Sequence, residues 1–268
     1  MTWRTALPEP LRHRSYAAGV TSKVHHKVLR KAARTTRRQD YSASTKRALV
    51  EVATELFTEH GYAGTSLDEI VAGARVTKGA LYHHFSGKQA LFEAVFERVE
   101  EDASKKIRRA VRTSKDPWEK AMGGLRAFLD VVPEPSYRRI VIQEGPAVLG
   151  YERFREQEER STYGIVQDIV AGVLASYDME PSMVETFSRV FFGAMSAAGS
   201  AVAIAEDTEQ AGAELEAAIA FILAGLRQQA ESGNELPHPE TMTIVGGDET
   251  DDGDNGDDET DETDEEAG

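Results

Sequence analysis

The chain has 268 residues, no cysteine and a formal net charge of −15, a length that holds one large domain or a small domain followed by a larger one. The missing thiol excludes disulfides, thiolate zinc sites and cysteine nucleophiles. No unbroken apolar run reaches the roughly 18 residues of a membrane span, and no apolar stretch follows the basic start as in a secretory signal, so a cytoplasmic protein without a membrane partner is expected.

The charge is unevenly placed. Residues 1–40 carry ten Lys/Arg against Glu9 and Asp40, a balance of +8, whereas residues 228–268 carry sixteen Asp/Glu and no Lys/Arg. In chain order, 1–41 reads as a basic, unfolded or partly helical arm. Leu49, Val52, Ala53, Leu56 and Phe57 then stand at the spacing of one helical face, and Gly61 is expected to end that helix. Leu67, Ile70, Val71 and Ala74 repeat the pattern in a shorter helix, opened by Ser66 with Glu69 in a capping box. A very short segment, Thr77 to His83, follows at once and is closed by Phe85. Ser86 and Gln89 suggest another capping box, opening a long fourth helix to about Val111. Further helices are expected over Trp118–Val131, Tyr137–Leu149, Glu152–Ser176, Ser182–Ile204 and Glu209–Gln229, with a break at Gly145-Pro146. From about Glu235 the Asp/Glu/Thr/Gly run has almost nothing to bury and should be disordered. No strand alternation stands out, so the expected class is all-α.

Two short helices joined by a tight turn and buttressed by a longer one form the helix-turn-helix arrangement, whose second helix enters the DNA major groove. The segment from Arg75 to Phe92 carries Arg75, Lys78 and Lys88 and no acid, and local charge matters more than the total. Thr77 can cap the recognition helix and meet a base edge. Lys78 can donate to guanine or to phosphate, while Gly79 and Ala80 keep the helix surface low. Tyr82, His83 and His84 offer donors to phosphate, and Leu81 and Phe85 should point inward. Lys88 at the start of the fourth helix, and Thr65 or Ser66 at the start of the second, are placed for phosphate near helix N-termini.

Gly61-Tyr62-Ala63-Gly64-Thr65-Ser66, then Ile70 through Val76, then Thr77-Lys78-Gly79-Ala80-Leu81-Tyr82-His83-His84-Phe85 with Lys88 and Leu91, resembles the N-terminal signature of the TetR family. The resemblance covers about fifty residues of the chain. It implies base contacts from Thr77, Lys78, Gly79 and Tyr82 and phosphate contacts near Thr65, Ser66, His84 and Lys88. Arg75 departs from the glycine that the family often carries in the turn; a left-handed backbone there costs roughly 1 to 2 kcal/mol, which a phosphate contact could offset.

The family resemblance further implies that the later helices bind a small-molecule effector and dimerise. Val184, Phe187, Phe191 and Met195, beside the small residues Ala194 and Ser196 to Ala201, and the stripe Leu215, Ala218, Ile219, Ile222 and Leu226, would make a four-helix interface between two copies; the alternative is ordinary intrachain core. Gln143 to Gly150 is similar to a segment of one subset of the family. With it, Tyr137, Gln143, Phe154, Tyr163, Phe187 and Phe191 are the candidate ligand contacts around an apolar pocket.

The expected organisation is therefore an arm (1–41), a three-helix DNA-binding domain (42–88), a helical ligand-binding and dimerisation domain (89–231) and an acidic tail (232–268). Neither His25-His26 nor His83-His84 has the further ligands of a metal site, and the tail lacks the spaced loop of a calcium hand, so no metal and no cofactor are expected. No nucleophile elbow, phosphate loop or metal set supports an enzyme. The tail reads as a solvated polyanion, or as a segment that folds back on the basic arm or the recognition helix and competes with DNA. Arg34, Arg37 and Arg38 could follow DNA into the minor groove; alternatively, translation starts downstream of the first twenty or so residues. The function expected is a homodimeric repressor on a pseudo-palindromic double-stranded operator, released by a small molecule of unknown identity. The alternative is an activator or ligand-independent regulator of the same fold.

Overall fold

The computed structural model describes the backbone of residues 20–177 and 179–232, and side chains from residue 41 onward, residue 178 apart. The expected acidic tail and the first nineteen residues lie outside the described residues, as do the side chains of His25, His26, Arg34, Arg37 and Arg38.

Every regular element among the described residues is helical, as the sequence predicts. α1 (Val20–Gly64) starts far ahead of the expected boundary near residue 42. Residues 20–60 contain neither Gly nor Pro, so nothing in this Lys/Arg/Ala-rich stretch interrupts a helix. Leu49, Ala53 and Phe57 are fully buried. At Gly61 (φ 73°, ψ 172°) the helix breaks, and its last three residues run on in a new direction. α2 (Leu67–Gly73) opens with the predicted capping box: Ser66 Oγ accepts from Glu69 N at 3.2 Å, and Ser66 N donates back to Glu69 Oε2 at 2.7 Å. α3 (Lys78–His84) follows a turn in which Arg75 is left-handed, with φ 56°.

α4 (Lys88–Val111) departs from expectation at its start. Gly87 is its N-cap and no side chain caps it. Gln89 turns away from Ser86 and donates instead to Val148 O at 2.8 Å, a partner 59 positions off in sequence. From Leu91 through Ile107 the inward residues of α4 pack toward α1 on one side and α5 (Pro117–Val131) on the other. Asp116 caps α5 through Trp118 N and Glu119 N, at 2.7 and 3.1 Å.

The expected helix over 137–149 is split into a π-helical segment, Tyr137–Glu144, and α6 (Gly145–Leu149). Pro146 has no N–H to return to the preceding turn, and its ring excludes a regular one. The next expected helix is likewise divided, into α7 (Tyr151–Glu158), a π-helical segment Glu159–Tyr163 and α8 (Gly164–Leu174). α9 (Pro181–Ile204) and α10 (Thr208–Glu231) close the bundle against α8 and α5. At Gly199 a Cβ would stand 2.5 Å from the Phe128 ring, so a glycine lets α9 press onto α5 there. α9 is long and apolar enough to cross a membrane, with a mean hydropathy of 1.4; in this fold one of its faces lines an internal cavity.

Candidate nucleic-acid interface and internal cavity

α3 buries Leu81 completely, with Phe85 behind it, and presents Thr77, Lys78, Gly79, Tyr82 and His83 outward. One face of a seven-residue helix therefore carries the predicted base-reading set. Thr77 Oγ1 accepts from Ala80 N at 3.2 Å, which fixes the start of the helix. Tyr82 is 57% exposed although it is an aromatic residue beside a core. The Lys78 ammonium lies 2.7 Å from Asp68 on α2, and this hydrogen bond raises its pKa. The acid-free stretch along the sequence is thus not acid-free in space.

The remaining candidates divide. Lys88 Nζ sits 4.4 Å above the Tyr62 ring. His84 is half-buried, and burial, then His83 and Lys46, lower its pKa. Thr65 does not serve as predicted: it is 2% exposed, and its hydroxyl donates inward to Gly61 O at 2.8 Å and Leu56 O at 3.1 Å. Ser66 is exposed, but its hydroxyl donates to Glu69 Oε2 at 2.7 Å, and those bonds hold the Glu69 carboxyl below its usual pKa. A phosphate approaching Ser66 would meet an ionised carboxylate. Lys46, on α1, was not foreseen; its ammonium lies 5.7 Å from the Phe85 ring, next to His84. Its position just ahead of the Leu49 stripe was the available signal.

Between α4, α5 and α7 to α10 lies a cavity of about 260 Å3. Tyr137, Phe154, Phe187 and Phe191 line it, as expected. Gln143 is instead exposed on the far side of the π-helical segment. Tyr163 turns its ring onto Phe192 (5.4 Å) and donates its hydroxyl to Glu185 at 2.9 Å, outside the cavity lining. In both cases the wide π turn rotates side chains away from where a regular helix would set them. The lining also includes Phe128, Phe192 and Glu158. Glu158 lies four residues after Phe154 and four before Thr162, a helical row that the surrounding run of charged residues conceals in the sequence. Behind it Glu100 is 2% exposed; the Ser161 and Tyr137 hydroxyls hold its carboxyl, yet burial pushes its pKa up to about 7.

The segment Tyr137–Leu149, part of the cavity wall, also packs against α1. Glu144, ending the π-helical segment, accepts from Tyr62 N at 2.7 Å and lies 3.1 Å from Arg139 Nε. A Cβ on Gly61 would collide with both of those side chains. Together with the Gln89 to Val148 bond, this ties the segment Tyr137–Leu149 to α1 and α4 at two points.

Residues 49–95 match the family described as bacterial regulatory proteins, tetR family, and residues 118–226 match the tetracyclin repressor-like C-terminal domain. The chain is 31% identical over 141 residues to the transposon Tn10 TetC protein of Escherichia coli, covering 51% of this chain and 68% of that one. It is 36% identical over 94 residues to the HTH-type transcriptional activator FasR of Mycolicibacterium smegmatis, covering 34% of this chain and only 43% of FasR. Among solved structures, a TetR-family transcriptional regulator from Pectobacterium atrosepticum superposes with a TM-score of 0.61 at 29% identity, covering 70% of this chain and 96% of that one.

Proposed function

Because the chain belongs to the TetR family of transcriptional regulators, which are not enzymes, we propose that it represses transcription as a homodimer on a pseudo-palindromic operator and leaves it when a small molecule fills the cavity. The exposed face of α3 carries this reading: Thr77, Lys78, Gly79 and Tyr82 project together from a helix whose other side is fully buried, the arrangement that a major groove accepts.

Dimerisation is supported by a surface row. On α9, Val190, Ala194, Ala197, Ala201 and Ile204 are exposed at alternating spacings of four and three, and on α10 Phe221 is 81% exposed beside Ala218 and Ile222. A second copy related by a two-fold axis would cover this face with its own. The stripe expected from the sequence is rotated from it: Ile219 and Leu226 line the cavity, and Phe221 stands outward. Two such heads would meet successive major-groove faces about 34 to 36 Å apart or somewhat more.

Fluorescence anisotropy with the promoter adjacent to the gene tests the reading. Saturable, salt-sensitive binding of two chains per site supports it, and indifference to DNA sequence overturns it. The direction of regulation is set by a reporter on the same promoter: repression is expected, and increased expression would make the protein an activator, as FasR is named.

A further inference from the structure

The cavity is lined from seven helices and both π-helical segments, and among the described residues its lining carries one formal charge, that of Glu158. The other polar groups there are neutral hydroxyls, such as Tyr137, Thr162 and Ser196. No lysine, arginine or histidine lines it. An anion entering this space would therefore be desolvated without a counter-charge, which is strongly unfavourable.

The carboxylate is itself incompletely satisfied. Its side chain is 12% exposed; Ser196 Oγ donates to Oε1 at 2.9 Å, and Oε2 is buried with no hydrogen-bond partner. Arg155 stands 3.8 Å from Oε2, beyond hydrogen-bond reach, with its guanidinium over the Phe192 ring and its other nitrogen toward Glu159. Buried acceptors are ordinarily paired, so an oxygen without a partner on a residue of the cavity lining leaves room for one more donor. Phe128, Phe187 and Phe191 line the space, and aromatic rings attract cations and accept flat apolar bodies.

We propose that the cavity takes an apolar amine in its ammonium form, whose N–H donates to Glu158 while the hydrocarbon body lies among the phenylalanines. This rests on the effector-site reading only for its consequence at the operator; the charge preference is a property of the cavity itself. The structure assigns Glu158 as the specificity-determining residue, with Ser196 holding one of its oxygens and the other left without a donor.

A matched set of probes with one body and three head groups tests this: phenylbutylamine, phenylbutanol and phenylbutyrate, titrated calorimetrically into the full-length protein. The amine should bind at least about tenfold more tightly than the carboxylate, with the alcohol between them. Glu158→Gln should weaken the amine by about tenfold and leave the alcohol within about threefold. Ser196→Ala, which keeps the carboxylate, should preserve the preference for the amine. Equal binding of amine and carboxylate, a preference that survives Glu158→Gln, or no binding by any of the three would overturn the proposal. The same titrations repeated with labelled operator separate the two readings: an amine that binds through Glu158 without displacing DNA leaves this proposal standing and removes the effector role.

Discussion

Lys78, proposed above to meet DNA, is already paired on the protein surface. In the free protein it is held by Asp68 at 2.7 Å, both groups being more than half exposed, and such surface pairs exchange easily. Lys78→Ala is expected to weaken operator binding roughly ten- to a hundredfold at one base if it reads guanine, and uniformly over sequences if it meets phosphate. Asp68→Asn should tighten binding by about two- to fivefold at low salt and by nothing at high salt, as anisotropy would show. Glu100 gives a pH signature. Its pKa is raised to about 7 by burial, so the folded state keeps a proton that the unfolded chain releases near its ordinary value. Stability therefore falls as pH rises from about 4.5 to 7 and stays lower above it, by on the order of 2 to 3 kcal/mol. Glu100→Gln should raise the Tm at pH 8 and leave it nearly unchanged at pH 4.5 or below; equal gains at both would refute the assignment. At Arg75, φ 56° costs a side chain that glycine would not pay, and Arg75→Gly is expected to raise the Tm by about 2 to 4 °C while weakening DNA binding if Arg75 meets phosphate.

At the scale of elements, the contact between the end of α1 and the π-helical segment is where two parts of the molecule are joined. Gly61 is required twice there, by its φ of 73° and by the nearness of Arg139 and Glu144. Glu144→Ala would leave the Tyr62 N–H without its acceptor at about 1 to 3 kcal/mol, and Gly61→Ala would strain the backbone and displace the same pair. In urea denaturation the double variant should lose less than the sum of the two, because both act on one contact. Helix starts differ in how readable they are. The box of Ser66 with Glu69, which the sequence predicts, and the cap that Asp116 gives Trp118 N and Glu119 N use partners within three residues. Gln89 lies three residues after Ser86 in the same pattern, yet it is taken by the Val148 carbonyl. A local motif is no guide when a distant acceptor offers better geometry.

For the whole molecule, a net charge of −15 would repel DNA if it were evenly spread; concentrating acid in the last forty or so residues leaves the helices around α3 near neutrality. The exposed apolar row on α9 and α10 gives the prediction at this scale. Phe221→Asp should convert a dimer to a monomer by analytical ultracentrifugation and reduce operator affinity by at least about a hundredfold, since one head then binds without its partner. A monomeric wild-type protein, or a variant that stays dimeric, would place the interface elsewhere.

The sequence by itself determined the class, the order of the helices and the outward side of α3, because these depend on periodicity and on side chains adjacent along one helix, as with Leu81 and Phe85 inward and Tyr82 outward. It did not determine which charged residues stand near one another or which face the interior. Thr65 turned inward, Asp68 reaching Lys78, Gln143 and Tyr163 carried out of the cavity by π turns, and Glu158 carried into it were decided by tertiary structure. The reason is that a helix's rotation about its own axis is set by the neighbours it packs against, and a single widened turn shifts every later side chain by a fraction of a turn that no local pattern encodes.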